Sequence, residues 1–290
     1  MSLMKKQPTL LAFACALVLA QAAAPAFADA TASATFGNVR ITLTDLDLND
    51  GITPSISINF GSQPYLNGAI GSYGPEFVRD GYAHLGKNAG SQVTDSVQAE
   101  YASSSAAMSG ANNVSGVSWM TVAGTALSGP AGFGEFGALA ANYTSTSFML
   151  TANTALTISV DVTMNVATTL GWNPDPGANQ AEHASSHVHM LFDGYDANGA
   201  SLLDEQYQEL YVDGQVDANG HITGAQQSWS GTVSVSFNNL SSQAQLGNFY
   251  SEIGVGGASM LAAVPEPESY ALLLAGLGVV GGVVRRRRAG

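Results

Sequence analysis

Ile158-Ser159-Val160-Asp161-Val162-Thr163-Met164-Asn165-Val166 alternates apolar and polar residues without a break. Successive side chains of a strand point to opposite faces, so Ile158, Val160, Val162, Met164 and Val166 share one face and Ser159, Asp161, Thr163 and Asn165 the other. A run with one apolar and one polar face is the mark of an antiparallel strand buried on one side. The same period of two recurs over 39–43, 56–60, 188–192 and 233–237, and no helical period of comparable strength exists. Asp196-Ala197-Asn198-Gly199 and Asp217-Ala218-Asn219-Gly220 each set an Asn-Gly pair between apolar segments, the chemistry of a hairpin tip. Many short strands with such turns predict an all-β domain, a single jelly-roll-like β-sandwich.

The segment 86–116 departs from this pattern. It is rich in Ser, Ala, Gly and Asn around Ala102-Ser103-Ser104-Ser105-Ala106-Ala107, which suits an exposed loop or an irregular edge strand. Val93, Val97 and Tyr101 also fit one face of a helix, so both assignments stand at this stage.

The two ends differ from the middle. At the start, Lys5 and Lys6 precede an apolar run over 10–20, and Ala26-Phe27-Ala28 offers a small-x-small cleavage site. These are the parts of a secretory signal peptide, which would span 1–28 and leave Asp29 as the first mature residue. The lone Cys15 lies in that apolar run, so a mature chain holds no disulfide. Residues 29–263 have the size of one domain with a sizeable core. Beyond Asp29 this passenger holds 19 acids against three bases, Arg40, Arg79 and Lys87, a net charge near −16. Such a polyanion repels nucleic acid and anionic lipid, and suits extracellular solubility or divalent cations.

At the other end, Val264-Pro265-Glu266-Pro267-Glu268 leads into an uncharged run over 269–284, followed by Arg285, Arg286, Arg287 and Arg288. A helix of that length measures about 24 Å, short of a ~30 Å hydrocarbon core unless the arginines snorkel. The prolines mark its entry, Glu266 and Glu268 suit the positive end of its dipole, and four arginines keep the far end cytoplasmic. The predicted third region, 264–290, is thus a C-terminal transmembrane helix with its approach and its basic stop.

A Pro-Glu-Pro triplet, a short glycine-rich span and a terminal arginine cluster, in that order at the C-terminus, resemble the PEP-CTERM sorting signal of Gram-negative bacteria. The resemblance implies a membrane-tethered precursor processed by an exosortase, with Pro265, Glu266 and Pro267 and the four arginines as the residues that matter. It also implies delivery to the cell surface or to an exopolysaccharide matrix, with roles in adhesion or biofilm cohesion. The opening stretch over 39–54 is similar to that of many proteins bearing this signal, a likeness that implies no activity.

Within the passenger three constellations hold candidate chemistry. Asp45, Asp47 and Asn49 place oxygen ligands at alternate positions before Asp50-Gly51, as calcium loops do, although Asp50 and Ile56 stand where an EF-hand wants glycine and a carboxylate. An Asx-stabilised turn explains the same residues. A second acidic loop over 194–205 has EF-hand spacing at Asp196, Asn198 and Glu205, but Gly194 replaces its first ligand, which favours a hairpin. In Glu182-His183-Ala184-Ser185-Ser186-His187-Val188-His189, His187 and His189 share a strand face and could bridge a transition metal if His183 or His221 supplied a third ligand. No Gly-x-Ser-x-Gly, His-Glu-x-x-His or phosphate loop occurs, so no cofactor is required and no catalytic residue is assigned. A glycosidase carboxylate pair would show only as a spatial separation. Trp119, Trp172, Trp229, Tyr207, Tyr211 and Tyr250 are expected in the core, with a sugar-binding face as the other use. Two classes therefore stand: a non-enzymatic surface or matrix protein, and a carbohydrate-binding module or glycan-active enzyme on the same anchor.

Overall fold

The computed structural model describes residues 28–60, 64–85, 91–129, 132–142, 146–169, 182–196, 198–216, 218, 222–260 and 275–277. The chain is all-β. Its strands are β1 (Ala28–Asp45), β2 (Ile56–Phe60), β3 (Pro64–Tyr73), β4 (Val78–Leu85), β5 (Gln92–Gln98), β6 (Ala102–Gly110), β7 (Val117–Gly129) and β8 (Gly132–Asn142), followed by β9 (Thr146–Leu150), β10 (Thr154–Thr168), β11 (Glu182–Tyr195), β12 (Ser201–Asp213), β13 (Gln215–Val216), β14 (Ile222–Thr223), β15 (Gln226–Asn239) and β16 (Gln245–Ser259). Residues 28–261 form one compact unit. The predicted signal peptide and the predicted C-terminal helix lie outside the described residues, apart from Ala28, which opens β1, and one helical turn at 275–277. Among the described residues no helix is long and apolar enough to cross a membrane.

The strand that decides the fold is paired on both edges. β10 pairs antiparallel with β1 on one edge and with β15 on the other. Ile158, Val160, Val162, Met164 and Val166 are all buried, and Asp161 on the opposite face is not. Each such side chain removed from water stabilises the fold by roughly 1.5–3 kcal/mol. Strands β12-β11-β16-β8-β7-β1-β10-β15 follow one another in a single hydrogen-bonded path, joined at its sides by β2, β3, β4, β5, β6 and β9, and β13 and β14 make a separate hairpin.

This path folds over on itself, because a sheet with one apolar face must bury it against something. The first strands of the path, β12 and β11, pack across the interior on β15 and β10. The ring of Phe192 on β11 lies 6.2 Å from Phe237 on β15, and Phe148 meets Phe237 edge-on at 5.3 Å. The Ser186 hydroxyl reaches across to the Ser33 carbonyl at 3.3 Å, and the Ser236 amide donates to Asp204 Oδ2 at 2.6 Å where the path's two ends meet.

The segment over 91–110 is two strands joined by a turn at 99–101. β5 pairs with β6, and β6 with β7, so the helical assignment of Val93, Val97 and Tyr101 is corrected. Small residues suit β6 because it is crowded from inside: the Ser104 hydroxyl donates to the Gly137 carbonyl at 2.7 Å, beside buried Ala102 and Ala106. The Asn-Gly turn at 196–199 is a hairpin tip. Asp196 Oδ1 accepts the amides of Asn198 and Ala200, and Gly199 takes the positive φ of 79° that the turn requires. The second Asn-Gly pair falls outside the described residues, between the paired β13 and β14.

Candidate functional site

The outward face of β12, β11 and β16 carries the densest polar chemistry. Alternation along β11 turns Ala184, Ser186, Val188 and Met190 inward and His183, Ser185, His187 and His189 outward. Register then decides their neighbours. His187 pairs with Glu209 and Gly254, and His189 with Tyr207 and Glu252. Gly254 leaves space that the His187 ring occupies, since a Cβ there would stand 2.3 Å from its Cε1.

Glu252 is the hub. Its Oε1 lies 3.5 Å from His187 Nε2 and 3.8 Å from His189 Nδ1, and the Tyr250 hydroxyl donates to its Oε2. The hydrogen bond from His187 holds the Glu252 carboxyl below its ordinary range against the opposing effect of burial. Burial, then the adjacent carboxylate, pushes the Tyr250 phenol far upward, so it stays a donor. Glu205 of β12 lies 2.8 Å from His189 Nε2, which orients that ring from the far side. Tyr207 stacks on His187 at 5.8 Å and meets His189 edge-on at 5.9 Å.

The predicted third histidine does not join them. His183 sits further along β11, stacked on Tyr211 at 6.2 Å, and burial lowers its pKa. His221 lies outside the described residues. Among the described residues no group of three or more His, Cys, Asp and Glu side chains is placed to hold a metal ion. What the face offers instead is exposed aromatic area, with Tyr207 55% and Tyr211 51% exposed, set among hydrogen-bonding groups. The expectation that these two tyrosines lie in the core is thereby corrected; that place belongs to Phe36, Phe148, Phe192 and Phe249. Beyond His183 the face continues into an open groove of about 620 Å³, floored by Gly137 and Gly256 and flanked by Ser185, Arg79 and Glu135.

The acidic stretch after β1 is built as a chain of Asx turns. Asp45 Oδ1 accepts the Asp47 amide at 3.0 Å, Asp47 Oδ1 accepts the Asn49 amide at 3.1 Å, and Asp50 Oδ1 accepts the Ile52 amide at 2.7 Å. Asp50 Oδ2 also accepts from the Asn153 side chain at 2.8 Å. One oxygen of each of these three aspartates thus serves the local backbone.

On the opposite layer the outward face is a field of small polar residues. Hydroxyls meet across β10 and β15 at Thr157–Ser236, Ser159–Ser234 and Thr163–Ser230, 2.9, 2.8 and 3.1 Å apart. Arg40 forks onto both Asp161 oxygens, at 2.7 and 3.1 Å, aided by a bulge in β1 between Gly37 and Arg40.

Residues 263–288 match the family model described as the PEP-CTERM protein-sorting motif. The match covers Pro265, Glu266, Pro267 and the four arginines, and it places a sorting signal at the C-terminus. No curated protein matches the chain at a significant level.

Proposed function

We propose that the chain is an exported passenger, cleaved after Ala28, tethered in the inner membrane through its C-terminal helix and then processed by an exosortase near Pro265-Glu266-Pro267. In this reading its mature form is a non-enzymatic protein of the cell surface or extracellular matrix, where it serves adhesion, biofilm cohesion or association with exopolysaccharide. The observation that carries the reading is the sorting-motif match directly after the compact unit over 28–261. The hydroxyl-lined outward face of β10 and β15 supports a matrix role, since paired Ser and Thr hydroxyls suit a hydrated contact surface. The single-sandwich, jelly-roll-like description of the passenger belongs to the same proposal. No cofactor is part of this reading, and calcium at Asp45, Asp47 and Asn49 stays its candidate ion; one carboxylate oxygen each of Asp45 and Asp47 accepts a backbone amide.

Sorting supplies the test. Glu266→Ala is expected to leave the precursor in the membrane at its full size in the native host, whereas replacing all four arginines by alanine loosens retention or inverts the helix. The readout is the size and location of the passenger in hosts with and without the exosortase. Unchanged maturation of Glu266→Ala would reduce the triplet to a helix entry and remove the proposal's main support.

A second reading, a carbohydrate-binding module on the same anchor, is favoured by the exposed Tyr207 and Tyr211 beside His187, His189 and Glu252. Aromatic faces with adjacent hydrogen-bonding groups suit the apolar faces and hydroxyls of sugar rings. Host exopolysaccharide that retards the passenger in affinity electrophoresis, but not a Tyr207→Ala, Tyr211→Ala double variant, supports this reading. Equal mobility of the two removes it.

A further inference from the structure

At one end of the β-unit two turns share a recess of about 380 Å³, the β11–β12 tip at 196–199 and the β15–β16 connection at 240–244. Its walls are mixed. Asp196, Asn198 and Ser241 bring polar groups, Leu202 and Leu240 bring apolar ones, and Gln245, the first residue of β16, joins them. Both turns are held from within. Asp196 Oδ1 takes the amides of Asn198 and Ala200, while the Asn239 side chain donates to the carbonyls of Leu150, Thr151 and Gln243 at 3.2, 2.9 and 2.8 Å and accepts the Ser241 amide and hydroxyl on its Oδ1. Walls that are already ordered leave little conformational entropy to be lost when a ligand enters.

One group in this lining is not accounted for by the fold. Gln245 is 8% exposed, yet its Oε1 is buried and accepts no hydrogen bond. A buried acceptor left unbonded destabilises the fold, so it calls for a donor. No bond on that oxygen holds the amide in place, and the last torsion of a glutamine is broad, so the amide can turn to meet one. Polar groups beside two leucines suit a compact molecule that has both hydroxyl donors and a C–H face, which is the chemistry of a sugar ring. The volume lies at the small end of ligand sites, enough for about one ring rather than a chain. Charge narrows the class. Among the described residues of the lining Asp196 is the single carboxylate, too few for calcium with its several oxygen ligands, and unfavourable to an acidic sugar.

We propose that this recess binds one neutral sugar ring, with Gln245 Oε1 accepting a ring hydroxyl and Leu202 and Leu240 against the C–H face. The ring comes either free or as the end of a polysaccharide chain. This deepens the exopolysaccharide association proposed above, on which it rests, and sets it apart from Tyr207 and Tyr211, which lie further along β12.

Saturation-transfer NMR on the full-length chain tests it, with glucose, galactose and mannose as free rings, and host exopolysaccharide, intact and cut short by mild acid, as chain ends. The parent is expected to transfer saturation to a free hexose or, where chain ends are the ligand, more strongly to the cut polymer than to an equal mass of the intact one. Gln245→Met is expected to abolish the transfer while its melting temperature stays at or above the parent's, because the substitution removes an unbonded acceptor. Leu240→Ser, at a position 76% exposed, keeps the fold and is expected to weaken binding by about threefold or more. The Tyr207→Ala, Tyr211→Ala double variant is expected to bind as the parent does. No transfer in the parent, or transfer undiminished by Gln245→Met or Leu240→Ser, overturns the inference and leaves sorting and the tyrosine face untouched. Transfer lost only in the tyrosine variant moves the sugar to that face and overturns it equally, and a Gln245→Met protein that melts well below the parent returns Gln245 to the fold.

Discussion

Val162→Asp is expected to leave little folded protein. Val162 is 1% exposed and stands in β10 between Phe36 of β1 and Gly231 of β15, in the row of Val160 and Met164. Among the described residues no cation is buried in the core to meet a carboxylate there, so its desolvation falls on the folded state alone, at about 4 kcal/mol or more. That is a large share of the 5–15 kcal/mol that holds a typical domain together. One residue away the chemistry reverses. Asp161 lies on the solvent face, where Arg40, Thr232 and Asn38 all bond its carboxylate, and those bonds hold its pKa well below the usual range. A depressed carboxyl contributes stability that is present above its unfolded pKa of about 3.9 and is lost as pH falls through the folded value. Asp161→Asn is therefore expected to lower stability slightly at neutral pH and to make no difference in strong acid. Urea denaturation of both variants checks the pair, and a similar loss for the two would mean that the facing of β10 is misassigned.

Much of this was legible because alternation is a local signal. The row from Ile158 to Val166 needs no partner to declare its two faces, and the Asn-Gly turn at Asn198 declares its hairpin in the same way. β6 was opaque for a matching reason. Its inward residues Ala102, Ser104 and Ala106 are too small to stand out from their neighbours, and they are small because Gly137 and its strand approach closely. The first half of β1, with Ala30, Ala32 and Ala34 inward, hides in the same way behind a clear second half. The histidine face was half legible. Spacing put His187 and His189 on one side of a strand, but Glu252, Tyr250 and Glu205 come from β16 and β12, and only the register of long-range pairing brings them there. Nothing in the local sequence marks Glu252 as their shared neighbour. The sorting signal, in contrast, is read from order along the chain and needs no fold.

Gly134→Val is expected to match the core variant in severity, by a different route. β8 passes the turn between β5 and β6 so closely that a Cβ on Gly134 would lie 1.8 Å from the Tyr101 carbonyl oxygen and 2.6 Å from its carbon. Backbone cannot rotate aside as a side chain can. The Tyr101 carbonyl is also fixed, because it accepts the Leu127 amide at 2.8 Å. Making room therefore means parting β8 from this corner, where Gly134 pairs with Ser72 on one side and Ser259 on the other. The cost is expected at about 3 kcal/mol or more, since overpacking that moves backbone exceeds the usual cost of an added methylene. The comparison is Gly256→Ala on the adjacent strand β16, whose Cβ would meet nothing nearer than the Ser185 hydroxyl at 3.5 Å. There alanine removes conformational freedom from the unfolded chain without a clash, and stability should hold or rise by a few tenths of a kcal/mol. Thermal melts of the two variants separate these cases. If Gly134→Val melts with the parent, the close passage of β8 beneath Tyr101 is not part of the folded state, and the closure of the sheet at that corner must be drawn differently.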